Sequence, residues 1–223
     1  MTRGAALVLR DLIVFGEGGR RILDVPELNL TPGTALGISG PSGAGKSTLL
    51  YALAGMAAQM TGRIDWDGTE IVAQTPAQRA RFRADRIGMI FQDHLLFEEL
   101  SALGNAGLPA LYAPKAQRRA IRDRAADRLA KLGIDAGTRR VASFSGGERQ
   151  RVAVARAMAA DAPILLADEP TASLHREAAE ALADDLMVSV GDEGRTLVCV
   201  THDERLLARM DWTLRVADGR VMA

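Results

Sequence analysis

The fold of this chain is decided by the stretch Gly40-Pro41-Ser42-Gly43-Ala44-Gly45-Lys46-Ser47-Thr48, which has the spacing G-x-x-x-x-G-K-S. A short apolar run of strand type, 35–39, precedes it, and a run of helix formers, 49–54, follows it. In such a strand–turn–helix unit the glycines allow backbone N–H groups to approach an anion without a Cβ in the way. The N-terminal end of the helix adds positive partial charge at the same point. The stretch therefore predicts a phosphate-binding loop (P-loop).

Two side chains of this loop specify what it binds. Lys46 is placed to reach the β- and γ-phosphates of a nucleotide, and the Ser47 hydroxyl is placed to ligate Mg²⁺. A glycine-rich turn with a chance lysine is the alternative, and the flanking strand and helix disfavour it. We expect residues 40–48 to bind a nucleoside triphosphate with Mg²⁺.

Composition and charge exclude several classes of protein. The 223 residues carry 28 Lys and Arg and 28 Asp and Glu, whereas nucleic-acid-binding modules usually have a basic excess. No apolar run approaches the ~20 residues that span a bilayer, and residues 1–10 lack the apolar stretch of a signal peptide. The single cysteine, Cys199, lies in an apolar run and is expected to be buried in a reducing compartment. We expect a cytosolic or peripheral protein with no nucleic-acid partner.

Two hairpins are predicted beside the P-loop unit. Residues 7–15 are β-rich and turn back at 16–19, and Asp67-Gly68 is a typical hairpin turn within 62–71. They indicate a small antiparallel sheet that flanks the P-loop core. Phe15, at the end of the first run, is placed either to stack on adenine or to pack in the core of that small sheet.

A glutamine follows the next buried strand. Residues 87–91 are of strand type, and Gln92 comes directly after them. Gln92 has two interpretations: a ligand of Mg²⁺ or of the attacking water, or a plain loop residue. The loop-like stretch beyond it forms either part of a lobe core or a docking groove for a partner. Its apolar residues are Leu95, Leu96, Phe97 and Leu100.

A second predicted helix N-terminus carries an anion-binding pattern. Ser145 and Glu148 have the spacing of a capping box, so a helix begins there and continues through Ala160. Its first turn is Gly146-Gly147, which leaves backbone N–H groups uncovered. Two such sites fit poorly around one nucleotide within one molecule. They are consistent with a helix end that caps a nucleotide held by another subunit.

Further polar side chains follow two apolar strands. Asp168 and Glu169 end the run 163–167, and ligands of open α/β sheets bind at the carboxyl ends of strands. Asp168 is expected to hold Mg²⁺ through water, and Glu169 to act as general base on the attacking water. Two solvated carboxylates are the alternative. His202, after the strand 196–201, either contacts the γ-phosphate or is structural.

These motifs, in this order, resemble the nucleotide-binding subunit of the ATP-binding cassette (ABC) superfamily. The resemblance covers nearly the whole chain, and Ser145–Gln150 is its most specific part. It implies one ABC ATPase domain over 1–223: a P-loop NTPase (RecA-like) α/β core with a parallel sheet, a small antiparallel β subdomain and an α-helical subdomain. Residues 1–91 and 162–223 would form the core and the β subdomain, and residues 92–161 the helical subdomain with the signature motif, which begins Ser145-Gly146-Gly147-Glu148.

The resemblance also implies partners and a location. Two copies, or this chain and a homologous ATPase subunit, would pair head-to-tail around two ATP molecules with Mg²⁺. Each ATP would lie between one subunit's P-loop and the other's Ser145, Gly146, Gly147 and Glu148. Separate transmembrane permease subunits would be driven from the cytoplasmic, inner face of the cell membrane. Gln92 resembles the Q-loop glutamine that links hydrolysis to the membrane partner, and His202 the switch histidine.

Within the superfamily the motifs around Gln92 and Asp168 look most like the branch of lipoprotein-release, macrolide-export and cell-division ATPases. The segment Ala172-Ser173-Leu174 resembles the D-loop of the family. Three positions depart from the pattern: His175 ends the D-loop where aspartate is usual, Phe144 replaces a leucine, and Phe15 replaces a common tyrosine. His175 leaves the communication between the two ATP sites in doubt.

Two other classes are less consistent with the sequence. Soluble cassette proteins that act on ribosomes or DNA usually have two cassettes or a long insertion, for which the segment from Gln92 to Ser145 is too short. A small P-loop kinase has no need of the helix end at Ser145–Gln150. A non-transport role in the same branch, such as control of a cell-wall hydrolase, remains open.

Overall fold

The computed structural model describes residues 4–222, which form ten strands and eight α-helices. The strands are β1 (Leu7–Phe15), β2 (Arg21–Leu30), β3 (Ala35–Ser39), β4 (Gln59–Trp66), β5 (Thr69–Glu70), β6 (Ile87–Ile90), β7 (Ile164–Asp168), β8 (Thr196–Val200), β9 (Trp212–Ala217) and β10 (Arg220–Met222). The helices are α1 (Lys46–Leu53), α2 (Pro76–Arg86), α3 (Ala102–Ala106), α4 (Pro109–Tyr112), α5 (Lys115–Lys131), α6 (Gly146–Ala159), α7 (Arg176–Gly191) and α8 (Glu204–Leu207).

All ten strands belong to one sheet, in the order β5-β4-β1-β2-β10-β9-β3-β8-β7-β6. The pairs β9–β3, β3–β8, β8–β7 and β7–β6 are parallel, whereas β9–β10 and the pairs among β5, β4, β1 and β2 are antiparallel. The expected antiparallel strands are thus present, but they continue the central sheet instead of forming a separate one. The connection is the hairpin β9–β10, because β10 pairs with β2 at Arg220 and Asp24.

The central strands are buried on both faces, as is usual for parallel sheets covered by helices. On β7, Ile164 and Leu166 pack in a core with α1 and the antiparallel strands, whereas Leu165 and Ala167 pack in a second core with α6 and α7. Cys199 of β8 belongs to the second core and is fully buried, as the sequence predicts. Because every side chain of β7 is buried, the strand can expose functional groups only at its end.

A third core lies within the helical segment and joins α3, α4, α5 and α6. Helix α6 contributes to two cores: Val152 and Ala155 face the helical layer, and Val154 and Met158 face the sheet. The helix therefore packs against both the helical layer and the sheet. The proposed division at residues 92 and 161 stays a prediction.

Candidate ATP-binding and hydrolysis site

The P-loop connects the carboxyl end of β3 to the N-terminus of α1. Gly40 has a φ of 143°, and a Cβ built there would lie 2.0 Å from the carbonyl oxygen of Val216, so no other residue fits. Helix α1 begins at Lys46, after Gly45 in a left-handed conformation and without a side-chain cap. The first N–H groups of α1 have no side-chain partner at the cap, so they remain available to an anion at the loop.

The Lys46 side chain lies over the loop that precedes it. Its Nζ donates to the carbonyl oxygens of Gly40 and Pro41 at 2.8 and 2.9 Å. These contacts hold the ammonium against the backbone of the loop where the sequence predicts phosphate binding. Two carbonyl partners leave one of the three ammonium protons for a phosphate oxygen.

Asp168, at the end of β7, accepts hydrogen bonds from two hydroxyl groups of α1. The Oγ of Ser47 donates to its Oδ1 at 3.1 Å, and the hydroxyl of Tyr51 donates to its Oδ2 at 3.0 Å. Burial raises the pKa of Asp168, and the two hydroxyl hydrogen bonds act in the opposite direction. The structure thus brings together two of the three predicted Mg²⁺ ligands, the Ser47 hydroxyl and an Asp168 carboxylate oxygen, whereas Gln92 is the third.

Tyr51 is a site residue that the motif analysis missed. Burial and the Asp168 carboxylate raise its pKa to about 12, so its hydroxyl keeps its proton and remains a donor at neutral pH. Its ring lies 6.3 Å, between centroids, from that of Phe91, the residue before Gln92. A signal was present, because Ser47 and Tyr51 are four residues apart and therefore lie on one face of α1.

Glu169 and His202 form the next pair at the same edge of the sheet. Nδ1 of His202 lies 2.8 Å from Oε2 of Glu169, and the backbone N–H of Glu169 donates to Val200 at 2.8 Å. Glu169 has a φ of 48°, in the left-handed region that a non-glycine residue occupies at a cost. The backbone therefore turns sharply after Asp168 and directs the two neighbouring carboxylates to different partners.

The two remaining predicted contacts, Gln92 and Phe15, lie at the periphery. Gln92 is exposed, two residues beyond the end of β6, and Ile90 of that strand pairs with Ala167 beside Asp168. Phe15 is half-buried at the end of β1, where its Cα partners are Arg21 and Gln59. Neither residue contacts Asp168 directly through a hydrogen bond within residues 4–222, and their roles stay predictions.

The signature segment has the predicted capping box. Ser145 Oγ accepts from the backbone N–H of Glu148 at 3.2 Å, and Glu148 Oε2 accepts from the backbone N–H of Ser145 at 2.8 Å. Phe144 is buried in the helical layer, which is consistent with its replacing a leucine. Within residues 4–222, no hydrogen bond or ion pair joins this segment to the P-loop.

The D-loop packs directly against the signature glycines. A Cβ on Gly147 would lie 3.4 Å from the carbonyl oxygen of Ser173 and 3.5 Å from Leu174, so the two loops are in contact. His175 is the N-cap of α7, and its Nδ1 accepts from the backbone N–H of Ala178 at 3.5 Å. Aspartate is among the strongest N-caps and histidine is not. His175 therefore occupies the capping position with a long, weak bond.

A sequence model described as ABC transporter matches residues 23–172, which contain the P-loop, the signature segment and both strand-end carboxylates. The chain belongs to the ABC transporter family. As a cassette of this family it binds ATP and hydrolyses it. Within residues 4–222, no helix combines the length and the apolar character that a membrane span needs.

The relatives of this chain differ in the share of their own length that aligns with it. The lipoprotein-releasing system ATP-binding protein LolD of Syntrophus aciditrophicus is 38% identical over 93% of this chain and 94% of that protein. The macrolide export ATP-binding/permease protein MacB 1/2 of Paracoccus denitrificans is 39% identical over 93% of this chain and 31% of that protein. The chain thus spans about a third of the MacB relative.

Solved structures agree with the fold. The dimeric structure of MJ0796, described as a bacterial ABC transporter cassette, has a TM-score of 0.85 and 29% sequence identity and covers 97% of both chains. A dimeric post-hydrolysis state of the same cassette, bound to ADP and phosphate, has the same TM-score and identity. The expected P-loop α/β core is confirmed by this likeness.

Proposed function

We propose that this chain is the ATPase subunit of a transporter of the LolD and MacB kind. Two copies, or one copy and a homologous subunit, pair head-to-tail around two ATP molecules. The paired cassettes then drive separate permease subunits at the cytoplasmic face of the membrane. Its relatives are named for lipoprotein release and macrolide export, and both names include ATP binding.

The observation that carries the proposal is the presence of two separate anion-binding helix ends in one chain. The N-terminus of α1 follows the P-loop, and the N-terminus of α6 begins with two glycines after the cap Ser145. No bond joins the two within residues 4–222, so one nucleotide held by the P-loop leaves the α6 end without a ligand. A second copy in head-to-tail orientation supplies that ligand.

The residues have distinct roles in this proposal. Residues 40–48 bind the phosphates, with Lys46 as the main cation, and Phe15 stacks on the adenine. Glu169 accepts a proton from the attacking water, while His202 holds the carboxylate of Glu169 in place and contacts the γ-phosphate.

Mg²⁺ fits the oxygen ligands at the end of β7. Ser47 and Asp168 already lie 3.1 Å apart, and Mg²⁺ prefers one or two protein oxygens together with water and phosphate. When bound, the ion neutralises the charge that develops on the phosphates. Ser47 would bind it directly and Asp168 through water, and Gln92 would complete the set from the loop after β6.

Exposed apolar side chains support the permease partner. Leu95 and Phe97 are 56% and 57% exposed, so the stretch after Gln92 is not a lobe core. Only Leu96 of that stretch packs against the helical core. A group of large apolar side chains on a protein surface indicates a site where a partner protein binds. Tyr112 and Leu111 of the same helical segment are also exposed.

Cross-linking tests the head-to-tail pairing. In a Glu169→Gln background we place one cysteine per chain, at Ser42 in one sample and at Ser145 in another. The native Cys199 is fully buried, and burial raises the pKa of its thiol, so it does not compete. Mixed samples treated with a short bis-maleimide should cross-link only with ATP. Equal cross-linking without ATP, or none with ATP, would contradict the proposal.

A further inference from the structure

Arg139 is bonded to both sides of the segment that begins α6. Its NH1 lies 2.8 Å from Oε1 of Glu148, and its Nε and NH2 donate to the hydroxyl and carbonyl oxygens of Ser143 at 3.0 and 2.6 Å. Its guanidinium also lies over the ring of Phe144, 4.4 Å from the centroid. One side chain thus holds the residues before and after the cap Ser145.

The first turn of α6 presents an electrostatic conflict. A helix N-terminus carries roughly half a positive elementary charge, which attracts anions. Glu148 lies in that same turn, and the hydrogen bond from the backbone N–H of Ser145 lowers the pKa of its carboxyl, so it is ionised at neutral pH. A full negative charge outweighs the partial positive charge of the helix end. Without a further cation, this end of α6 would repel a phosphate.

We infer that Arg139 is a positioning residue that neutralises Glu148 and thereby allows the N-terminus of α6 to face the γ-phosphate of a nucleotide held by the partner copy. The inference rests on the proposed head-to-tail dimer. With Arg139 in place, the positive end of α6 and its N–H groups again dominate the local field. Its contacts to Ser143 and Phe144 hold the guanidinium beside the carboxylate of Glu148.

Neighbouring arginines do not replace Arg139. Arg149 donates to the carbonyl oxygen of Ala142 at 3.0 Å. Arg151 donates to the carbonyl oxygens of Gly147 and Leu132. Within residues 4–222 the ion pair with Arg139 is the only one that Glu148 makes, so Arg139 is the one cation that compensates the charge of this carboxylate.

A double-mutant cycle tests the inference. In the Glu169→Gln background, the ATP concentration at half-maximal dimerisation is measured by light scattering for Arg139→Gln, Glu148→Gln and the combination. We expect Arg139→Gln to raise it by about tenfold, because an unpaired carboxylate then faces the phosphate. In the Glu148→Gln background, Arg139→Gln should raise this ATP concentration by less than about twofold, since glutamine preserves the capping box without charge.

Three controls separate charge from structure. Arg139→Lys keeps the charge but loses the planar fork, so it should dimerise much closer to the parent than Arg139→Gln does. Arg140→Gln removes an equal charge from an exposed neighbour whose side chain makes no hydrogen bond within residues 4–222, and it should have no effect. Higher salt should reduce the defect of Arg139→Gln. Thermal melting and ATP binding to the monomer should be similar for all variants.

The outcomes distinguish this inference from the proposed function. If the Glu169→Gln parent does not dimerise with ATP, the head-to-tail dimer itself is wrong. If the parent dimerises and Arg139→Gln behaves as the parent, the inference is overturned. The inference is also overturned if Arg139→Gln raises the ATP concentration at half-maximal dimerisation equally with Glu148 and with Gln at position 148. It is likewise overturned if Arg139→Lys is as defective as Arg139→Gln. In both cases Arg139 would have a purely structural role.

Discussion

Nδ1 of His202 lies 2.8 Å from Oε2 of Glu169, so two of the three predicted catalytic side chains are already paired at the ends of adjacent strands β8 and β7. The contact orients the carboxylate that is proposed to accept a proton. It also leaves the second carboxylate oxygen of Glu169 for water. The pair therefore joins the candidate base to the candidate phosphate sensor before any partner is present.

Removal of the base should separate binding from hydrolysis. Glu169→Gln keeps the shape of the side chain and a hydrogen-bond acceptor for His202, but it cannot take a proton at neutral pH. We expect ATP turnover to fall by roughly 10²- to 10⁴-fold, while the ATP dissociation constant changes little. Phosphate-release assays and nucleotide titration measure the two quantities. Glu177→Gln, in the first turn of α7, is the matched control.

Retained turnover in Glu169→Gln would contradict the assignment of the base. In that case His202→Ala should abolish the remaining activity, and the proton acceptor would be the imidazole.

Asp168 predicts an unusual pH dependence of stability. Burial raises its pKa above the ordinary value of 3.8, so between these two pKa values the folded chain binds more protons than the unfolded chain. Stability attributable to this group therefore falls as the pH rises through that window and stays reduced above it. Asp168→Asn has no carboxylate to bury in its charged form, so the variant should melt at a higher temperature than the parent at pH 7. The expected rise is about 2–4 °C for each ~1 kcal/mol of burial cost that is removed.

Thermal melting without nucleotide, at several pH values from 4 to 8, checks this expectation. The advantage of Asp168→Asn should shrink as the pH falls toward the ordinary carboxyl pKa. Asp123→Asn, at an exposed position of α5, should show no such trend. An advantage that grows on acidification would contradict the account.

Arg156 links the signature helix to the loop that follows Gln92. Its guanidinium donates to the carbonyl oxygens of Leu95 and His94 at 2.5 and 2.6 Å, and both of these residues have a positive φ. Arg156→Gln should remove the support for this strained turn, at a cost of about 1–3 kcal/mol. Backbone amides in 93–97 should then exchange hydrogen faster, as measured by mass spectrometry.

Leu95→Gly should partly compensate, because glycine adopts the left-handed conformation without strain. Arg119→Gln, on the exposed face of α5, is the control and should leave the exchange of 93–97 unchanged. If Arg156→Gln accelerates exchange equally throughout the chain, the arginine supports the whole fold and not this loop.

Local signals explain what the sequence predicted well. The P-loop unit and the capping box of Ser145 and Glu148 are each encoded by a short continuous stretch of sequence, and the structure contains both. The acids of β7 were predictable because a fully apolar strand can present polar groups only where it ends. The proximity of Asp168 to Ser47 was then predictable because ligands of open α/β sheets bind at the carboxyl ends of the strands.

Contacts between distant residues were not predictable in the same way. Tyr51 reaches Asp168 across 117 positions, and β10 joins β2 through Arg220 and Asp24. No local pattern encodes such pairings, because they depend on how the strands are ordered in the sheet. The continuity of the sheet was therefore missed, and so was the role of Arg139, which is one of many arginines in an otherwise polar segment.

The most direct test of the shared site is complementation between two damaged subunits. Gly146→Asp puts a carboxylate where the partner's γ-phosphate is proposed to lie, and like charges in a water-poor interface prevent closure. The variant should fold, because a Cβ on Gly146 is no closer than 3.7 Å to its nearest neighbour, Ser173. Its monomer should bind ATP normally, since its P-loop is unchanged. Lys46→Ala should lose ATP binding and keep an intact signature, and Lys115→Ala is its control.

Each variant alone should have almost no ATPase activity, and mixing them should restore some. A mixed dimer contains one intact site, formed by the P-loop of the Gly146→Asp chain and the signature of the Lys46→Ala chain. Random pairing of independent sites gives up to about a quarter of the parent activity, because half of the dimers are mixed. Activity that returns on mixing is the predicted result. Full activity in Gly146→Asp alone, or no recovery although mixed dimers form, would contradict the shared site.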